Sequence, residues 1–321
     1  MNEFRRSIAP LVLHLTGGLG NELFQVSAAL YSSESKNISI EWVLGKPRVN
    51  ISGLPQIECY ELPPGINLLG RSKNSWFARK TTGYLLRSSI EPKWLEKNLV
   101  YQLLTKILGS FVLAAKFGKF RMVTTGDNVG FFPLKIDDKS RYLVGYFQSY
   151  KYSESELVFD ILKELKAKNF ENYSIYKDLA LNEEPLVVHV RLADYRQEEK
   201  FGIPKLSYYH EAISNLWNSG RYKSIWLFSD EPESAFDRVP KELQKYVRCF
   251  GDIENCIVKT LEVMRLGKGY VIANSSFSWW AARLSVNQNP IVVAPKPWFH
   301  KMNEPDFLIP PSWLRHDAWG T

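Results

Sequence analysis

The chain has 321 residues, 45% of them hydrophobic and 14% aromatic, enough for two domains or one large α/β unit around a filled core. No apolar run reaches the ~18 residues of a membrane-crossing helix, and Cys59, Cys249 and Cys256 are too scattered for a zinc site or a disulfide framework. Those three cysteines read as reduced thiols of a cytoplasmic protein, and the formal charge of +7 invites a search for where the positive residues gather.

The apolar stretch 8–15 is short and broken by Pro10 and His14, with no small-residue cleavage site after it. It therefore reads as a first strand, over 11–15, rather than a leader. A glycine turn follows, then a helix over 22–33. Residues 71–121 hold eleven Lys and Arg against only Glu91 and Glu96, with Trp76, Phe77, Tyr84 and Trp94 interleaved. Such a basic amphipathic stretch suits an anionic membrane surface or an acidic acceptor, and equally a solvated helical face over a core. It carries no nucleic-acid-binding motif.

A strand is predicted over 141–147. Beyond it, strands over 186–190, 224–228, 270–273 and 291–294 alternate with helices near 207–218, 258–266 and 277–286. Short apolar runs separated by helices of that size indicate a parallel sheet with crossovers. Ligands of such sheets sit at the carboxyl ends of the strands.

Four motifs lie just after predicted strands. The first is Thr16-Gly-Gly-Leu-Gly-Asn-Glu-Leu-Phe-Gln25, in which Gly18, Gly20 and Asn21 let the backbone approach a ligand at a helix start. It matches neither the dinucleotide fingerprint nor a P-loop, and a simple tight turn explains it equally well. The second is Val188-His-Val-Arg-Leu-Ala-Asp-Tyr195. Alternation along a strand sends His189 and Arg191 to one side, and an arginine holds a phosphate through two parallel hydrogen bonds. Asp194 can orient that arginine, contact a sugar or take a proton; the plain alternative is an Arg–Asp surface pair. The third, Trp226-Leu-Phe-Ser-Asp-Glu-Pro-Glu233, places Asp230 at a strand end, although Ser-Asp before Pro is also an ordinary helix-entry signal. The fourth is Ala273-Asn-Ser-Ser-Phe-Ser-Trp-Trp280. Asn274, Ser275 and Ser276 favour a helix N-cap, an anion site, with Phe277 in the first turn and the tryptophans wedging the helix against the sheet.

In this order the four motifs resemble the bacterial α-1,2-fucosyltransferases, glycosyltransferase family 11. Gly145-Tyr-Phe-Gln-Ser-Tyr-Lys-Tyr152, Leu206-Ser-Tyr-Tyr-His-Glu-Ala-Ile213, Ala294-Pro-Lys-Pro-Trp-Phe299 and Leu308-Ile-Pro-Pro-Ser-Trp-Leu314 extend the likeness over residues 11–319, most weakly across 45–140. The resemblance implies a GT-B-like α/β architecture, two Rossmann-like domains facing across a cleft. The corresponding expectation is an acceptor-side domain over 1–152, a donor domain over 153–300, and a tail over 301–321 packing back on the first. It implies an inverting transfer of fucose from GDP-fucose to a galactose-type hydroxyl of a surface glycan precursor, without metal or other cofactor. Arg191 would stabilise the diphosphate, with His189, Asp230, Asn274, Ser275, Ser276 and Phe277 around the donor, and Asp194 or Glu22 as base. The other readings are a transferase of the same fold using another nucleotide sugar and a non-catalytic carbohydrate-binding protein. A lipid-linked acceptor would give the basic stretch 71–121 a peripheral membrane role. Four positions differ from the family pattern: Leu192 stands for a second arginine, Ala193 for glycine, Thr260 for a base-reading aspartate, and Arg283 for tryptophan. If Arg283 faces the phosphates, it replaces the missing cation.

Overall fold

The computed structural model describes residues 11–33, 38–47, 54–64, 66–71, 121–124, 129–131 and 140–320. Nearly all of the basic stretch 71–121 lies outside them. The chain divides into two compact units: Met1–Glu58, Leu62–Leu165 and Pro305–Phe307 form the first, and Cys59–Glu61, Lys166–Glu304 and Leu308–Thr321 the second.

The first unit begins with β1 (Leu11–Gly17), α1 (Leu19–Ser33) and β2 (Ile38–Pro47). After β3 (Tyr60–Glu61), which clusters with the second unit, come β4 (Ile66–Arg71), β5 (Arg121–Thr124), β6 (Ser140–Val144) and α2 (Glu156–Lys163). The sheet order is β4-β2-β1-β6-β5, every pairing parallel. Strand order runs outward from β1 through β2 to β4 on one side, and inward from the edge strand β5 to β6 on the other. Gly17 makes the entry to α1 possible. Its φ is +86°, and a Cβ there would lie 2.2 Å from the Asn21 amide nitrogen. The helix consequently starts at Leu19, three residues before the expected 22, and brings Gly20, Asn21 and Glu22 into its first turn.

The second unit continues with β7 (Lys166–Ala167), antiparallel to β3, then α3 (Tyr173–Glu183), β8 (Pro185–Val190) and α4 (Leu206–Trp217). Next are β9 (Ser224–Ser229), α5 (Pro232–Phe236), β10 (Val247–Phe250) and α6 (Ile257–Met264). The last elements are β11 (Gly269–Val271), α7 (Ser276–Arg283), β12 (Ile291–Lys296) and β13 (Leu314–Asp317). Six parallel strands lie in the order β10-β9-β8-β11-β12-β13. All six residues of β8 are buried, as a central parallel strand requires, which explains its unbroken apolar character apart from His189. α4 closes the core with Tyr208, Tyr209, Ala212, Ile213 and Leu216. Two of its tyrosines are also tethers: Tyr208 donates to the carbonyl of Ile272 at 2.7 Å, and Tyr209 to that of His189 at 3.4 Å.

Each unit by itself has the Rossmann-like parallel plan expected of a GT-B half. The tail divides between the units, with Pro305–Phe307 clustering with the first. Residues 308–321 cluster with the second unit, because β13 pairs in parallel with β12 and extends that sheet. A strand that satisfies backbone groups on a sheet edge outweighs the looser docking expected of a terminal segment.

Candidate active site

Chain order reverses between β8 and β11, which are hydrogen-bonded neighbours with Val188 opposite Val271. This is the topological switch point of the second sheet, the place where sheets of this kind take their ligands. Three residues on from that register pair, β8 delivers Arg191 and β11 delivers Asn274. The two loops touch directly: Tyr195 donates its hydroxyl hydrogen to the Asn274 carbonyl at 3.1 Å, and the rings of His189 and Phe277 lie 6.0 Å apart. The second and fourth motifs thus share one corner, and Asp230, at the end of β9, joins them from the other side of β8.

Arg191 is held between two carboxylates. Its Nε and Nη2 lie 2.9 and 2.8 Å from Asp194 Oδ1, and its Nη1 lies 3.2 Å from Asp230 Oδ2. Asp230 is itself fixed by backbone donors, accepting from the Leu192 N–H at 3.0 Å and the Ala193 N–H at 3.1 Å. Asp230 thereby shapes the turn that carries Arg191, a larger role than its ordinary helix-entry signature implied. His189 is buried, and burial, followed by the nearby Arg191 charge, lowers its pKa to about 3 against an opposing pull from Asp230. It is a neutral imidazole, and its Nδ1 is buried without a hydrogen-bond partner.

On the β11 side Ser275 is the N-cap of α7, with extended backbone (φ −118°, ψ 128°) and its hydroxyl accepting from the Phe277 N–H at 3.3 Å. Asn274 is no cap. Its Nδ2 donates to the carbonyls of Phe201 and Gly202, bracing a neighbouring loop, while its Oδ1 is buried and unpartnered. Trp279 and Trp280 are fully buried in edge-to-face contact at 4.8 Å, and Trp279 Nε1 donates to the Leu308 carbonyl at 3.0 Å. They fix the helix start from behind, as the sequence suggested. Ser276 and Phe277 are half-buried in the first turn.

Gly18, Gly20, Asn21 and Glu22 belong to the first unit, at the β1/β6 switch point. Gln25 ties the two strand ends together, accepting from the Thr16 N–H at 3.1 Å and donating to the Gly145 carbonyl at 3.0 Å. Asn21 Oδ1 accepts from Gln148 Nε2 at 2.8 Å. Glu22 is buried and accepts from the backbone N–H of Gln56 at 3.1 Å and of Ile57 at 2.8 Å. It caps the short 3-10 helix Gln56–Cys59, which occupies both of its oxygens. Burial raises its pKa to about 7 against those two hydrogen bonds.

Two of the four positions that depart from the family pattern have local structural roles. Arg283 is the last residue of α7, roughly 10 Å along the helix from the Ser276 end. It sits where a cation complements the helix dipole. Thr260 is buried, and its hydroxyl accepts from the Ile253 N–H at 2.9 Å while donating to the Cys256 carbonyl at 3.1 Å. Sequence reasoning missed the ion pair between Glu262 and Arg265, 2.7 Å apart with both side chains buried. Its only trace was a Glu and an Arg three apart inside an apolar helix. Among the described residues no group of three or more His, Cys, Asp and Glu is arranged to hold a metal ion, and no helix is long and apolar enough to cross a membrane.

With this geometry in place, the comparisons identify the class. The model of Glycosyl transferase family 11 matches residues 123–313, more than half of the chain. The chain belongs to that family and is a glycosyltransferase. The O-antigen biosynthesis glycosyltransferase WbnK of Escherichia coli is 27% identical over 95% of this chain and 98% of its own length. An alpha-1,2-colitosyltransferase of Escherichia coli is 24% identical over the same shares of the two chains. Among solved structures, the fucosyltransferase NodZ from Bradyrhizobium aligns with a TM-score of 0.46 at 13% identity, covering 84% of this chain and 91% of that one.

Proposed function

We propose that this chain is an inverting, metal-independent fucosyltransferase that moves fucose from GDP-fucose to a galactose-type hydroxyl, in α-1,2 linkage, on a surface glycan precursor. The observation that carries this reading is the meeting of Arg191 and the capped start of α7 on adjacent strand ends at the switch point of the second sheet. A guanidinium and a row of helix N–H groups are what a departing diphosphate needs, since both stabilise negative charge as it develops. In this reading Arg191 takes the diphosphate, and Ser275, Ser276 and Phe277 offer the helix start to it. His189 and Asn274 line the same corner, Asp230 holds the Arg191 turn, and Gly18, Gly20 and Asn21 form the glycine turn of the acceptor-side unit. Asp194 is the favoured proton acceptor over Glu22, whose two oxygens are engaged as a cap. The relative named for O-antigen biosynthesis supports a glycan precursor as acceptor.

A second donor remains in play on a specific observation. One relative along nearly the whole chain is named for transfer of colitose, and Thr260 commits its hydroxyl to its own helix start rather than to a ligand. The test is a transfer screen with GDP-fucose and other nucleotide sugars against a panel of galactosides, with EDTA throughout. Transfer of fucose in EDTA supports the main reading; transfer from another sugar nucleotide alone replaces it. Arg191→Ala is expected to lower kcat by ~10²–10³, and near-normal turnover would remove Arg191 from the mechanism.

A cytoplasmic enzyme working at the inner membrane face, held by the basic stretch 71–121, completes the reading. Neutralising several lysines there is expected to weaken sedimentation with anionic vesicles, and unchanged sedimentation would remove the membrane role.

A further inference from the structure

The cation assigned to the donor is already occupied. Nε and Nη2 form one edge of the Arg191 guanidinium, the edge suited to a bidentate oxyanion. In this chain both nitrogens point at Asp194 Oδ1, at 2.9 and 2.8 Å. The two carboxylates around Arg191 are not equivalent. Asp230 is anchored by the backbone N–H groups of Leu192 and Ala193, and its side chain is 17% exposed. Asp194 opens the 3-10 turn Asp194–Gln197 and its side chain is 36% exposed. One cation between two carboxylates leaves the cluster with a net negative charge. A diphosphate arriving at Arg191 meets Asp194 as a like charge on the same guanidinium edge, and both cannot keep that edge.

We infer that Asp194 is an internal stand-in for the donor diphosphate. It occupies the Nε/Nη2 edge of Arg191 in the empty site and is exchanged for the donor, while Asp230 stays on Nη1 and holds the arginine in place. The exchange has two consequences. Arg191 is never left as a bare cation that recruits any passing anion, so simple anions must compete with an attached carboxylate. The displaced Asp194 leaves Arg191 on donor binding, so it turns to an acceptor hydroxyl only when a donor is present. Transfer is then ordered, with the donor first. This inference rests on the reading that Arg191 meets the diphosphate, whichever base the nucleotide carries.

The experiment is calorimetric titration of the full chain with GDP, UDP, ADP and inorganic pyrophosphate, in wild type, Asp194→Asn, Asp194→Ala and Arg191→Ala. Circular dichroism confirms folding of each variant. If Asp194 competes with the diphosphate, both Asp194 variants bind the preferred nucleotide about 3-fold tighter or more, while their transfer rate falls. Binding tightened and turnover lost is a combination that a merely positioning carboxylate does not produce. Weaker or unchanged binding in both Asp194 variants, with Arg191→Ala also weakened, overturns the stand-in role and leaves the Arg191 reading intact. Unchanged binding in Arg191→Ala, or no nucleotide binding to wild type, overturns both. One variant lost to misfolding leaves the other to decide.

Discussion

Glu22 shows how one carboxylate can look catalytic and act as a joint. It follows a glycine turn at a strand end, a position that invites a chemical role. Its two oxygens instead accept the Gln56 and Ile57 N–H groups, more than thirty residues away. Burial raises its pKa from 4.5 to about 7, with the nearby Glu58 adding to the rise. Between those values the folded chain holds a proton that the unfolded chain has released, so this group's contribution to stability falls as pH rises from about 4.5 to 7. In Glu22→Gln that titration is gone. Thermal midpoints of the two proteins, measured from pH 4 to 8, should show wild type losing ground to the variant across that window and a constant difference above it. A pH-independent difference would mean that Glu22 titrates alike in the folded and unfolded chains.

At the scale of elements, the glycine turn and α7 do related jobs from different chemistry. Gly17 takes a left-handed backbone (φ +86°) and leaves room for Asn21, whose amide nitrogen would sit 2.2 Å from an added Cβ. Gly17→Ala is therefore expected to cost more than ~1 kcal/mol, read as a lowered denaturation midpoint with an unchanged denaturant slope. If its midpoint matches wild type, the turn has another accessible conformation. Local signals of this kind were legible in the sequence: the Ser275 cap, the wedge of Trp279 and Trp280, and β8 as a buried strand carrying Arg191. Partners far along the chain were not. Nothing near Asp230 says that it accepts from the backbone of residues 192 and 193, or that Gln25 spans from Thr16 to Gly145. Strand order was equally hidden, because alternation of strands and helices predicts a parallel sheet without saying which strands are neighbours. The adjacency of β8 and β11, which brings Tyr195 against Asn274 and His189 against Phe277, depends on that order.

Across the whole molecule, each sheet buries a histidine in the strand beside its switch point. His14 in β1 is lowered by burial to about 4, with both ring nitrogens unpartnered, and His189 in β8 is lowered to about 3. Both start from 6.5 in the unfolded chain. Below 6.5 the unfolded chain binds protons that the folded chain refuses, so stability is lost as pH falls, down to about 4 for His14 and about 3 for His189. Glu22 runs the opposite way over part of that range, so a plain acid titration of wild type mixes the two signs. Comparing Glu22→Gln with the double variant Glu22→Gln, His14→Leu isolates one term. His14 makes no hydrogen bond that leucine would forfeit. The single variant should fall relative to the double one as pH drops from 6.5 towards 4, by on the order of 3 kcal/mol, and hold a constant offset above pH 7. A constant offset through the acid range would mean that water or a charge reaches His14 in the folded state.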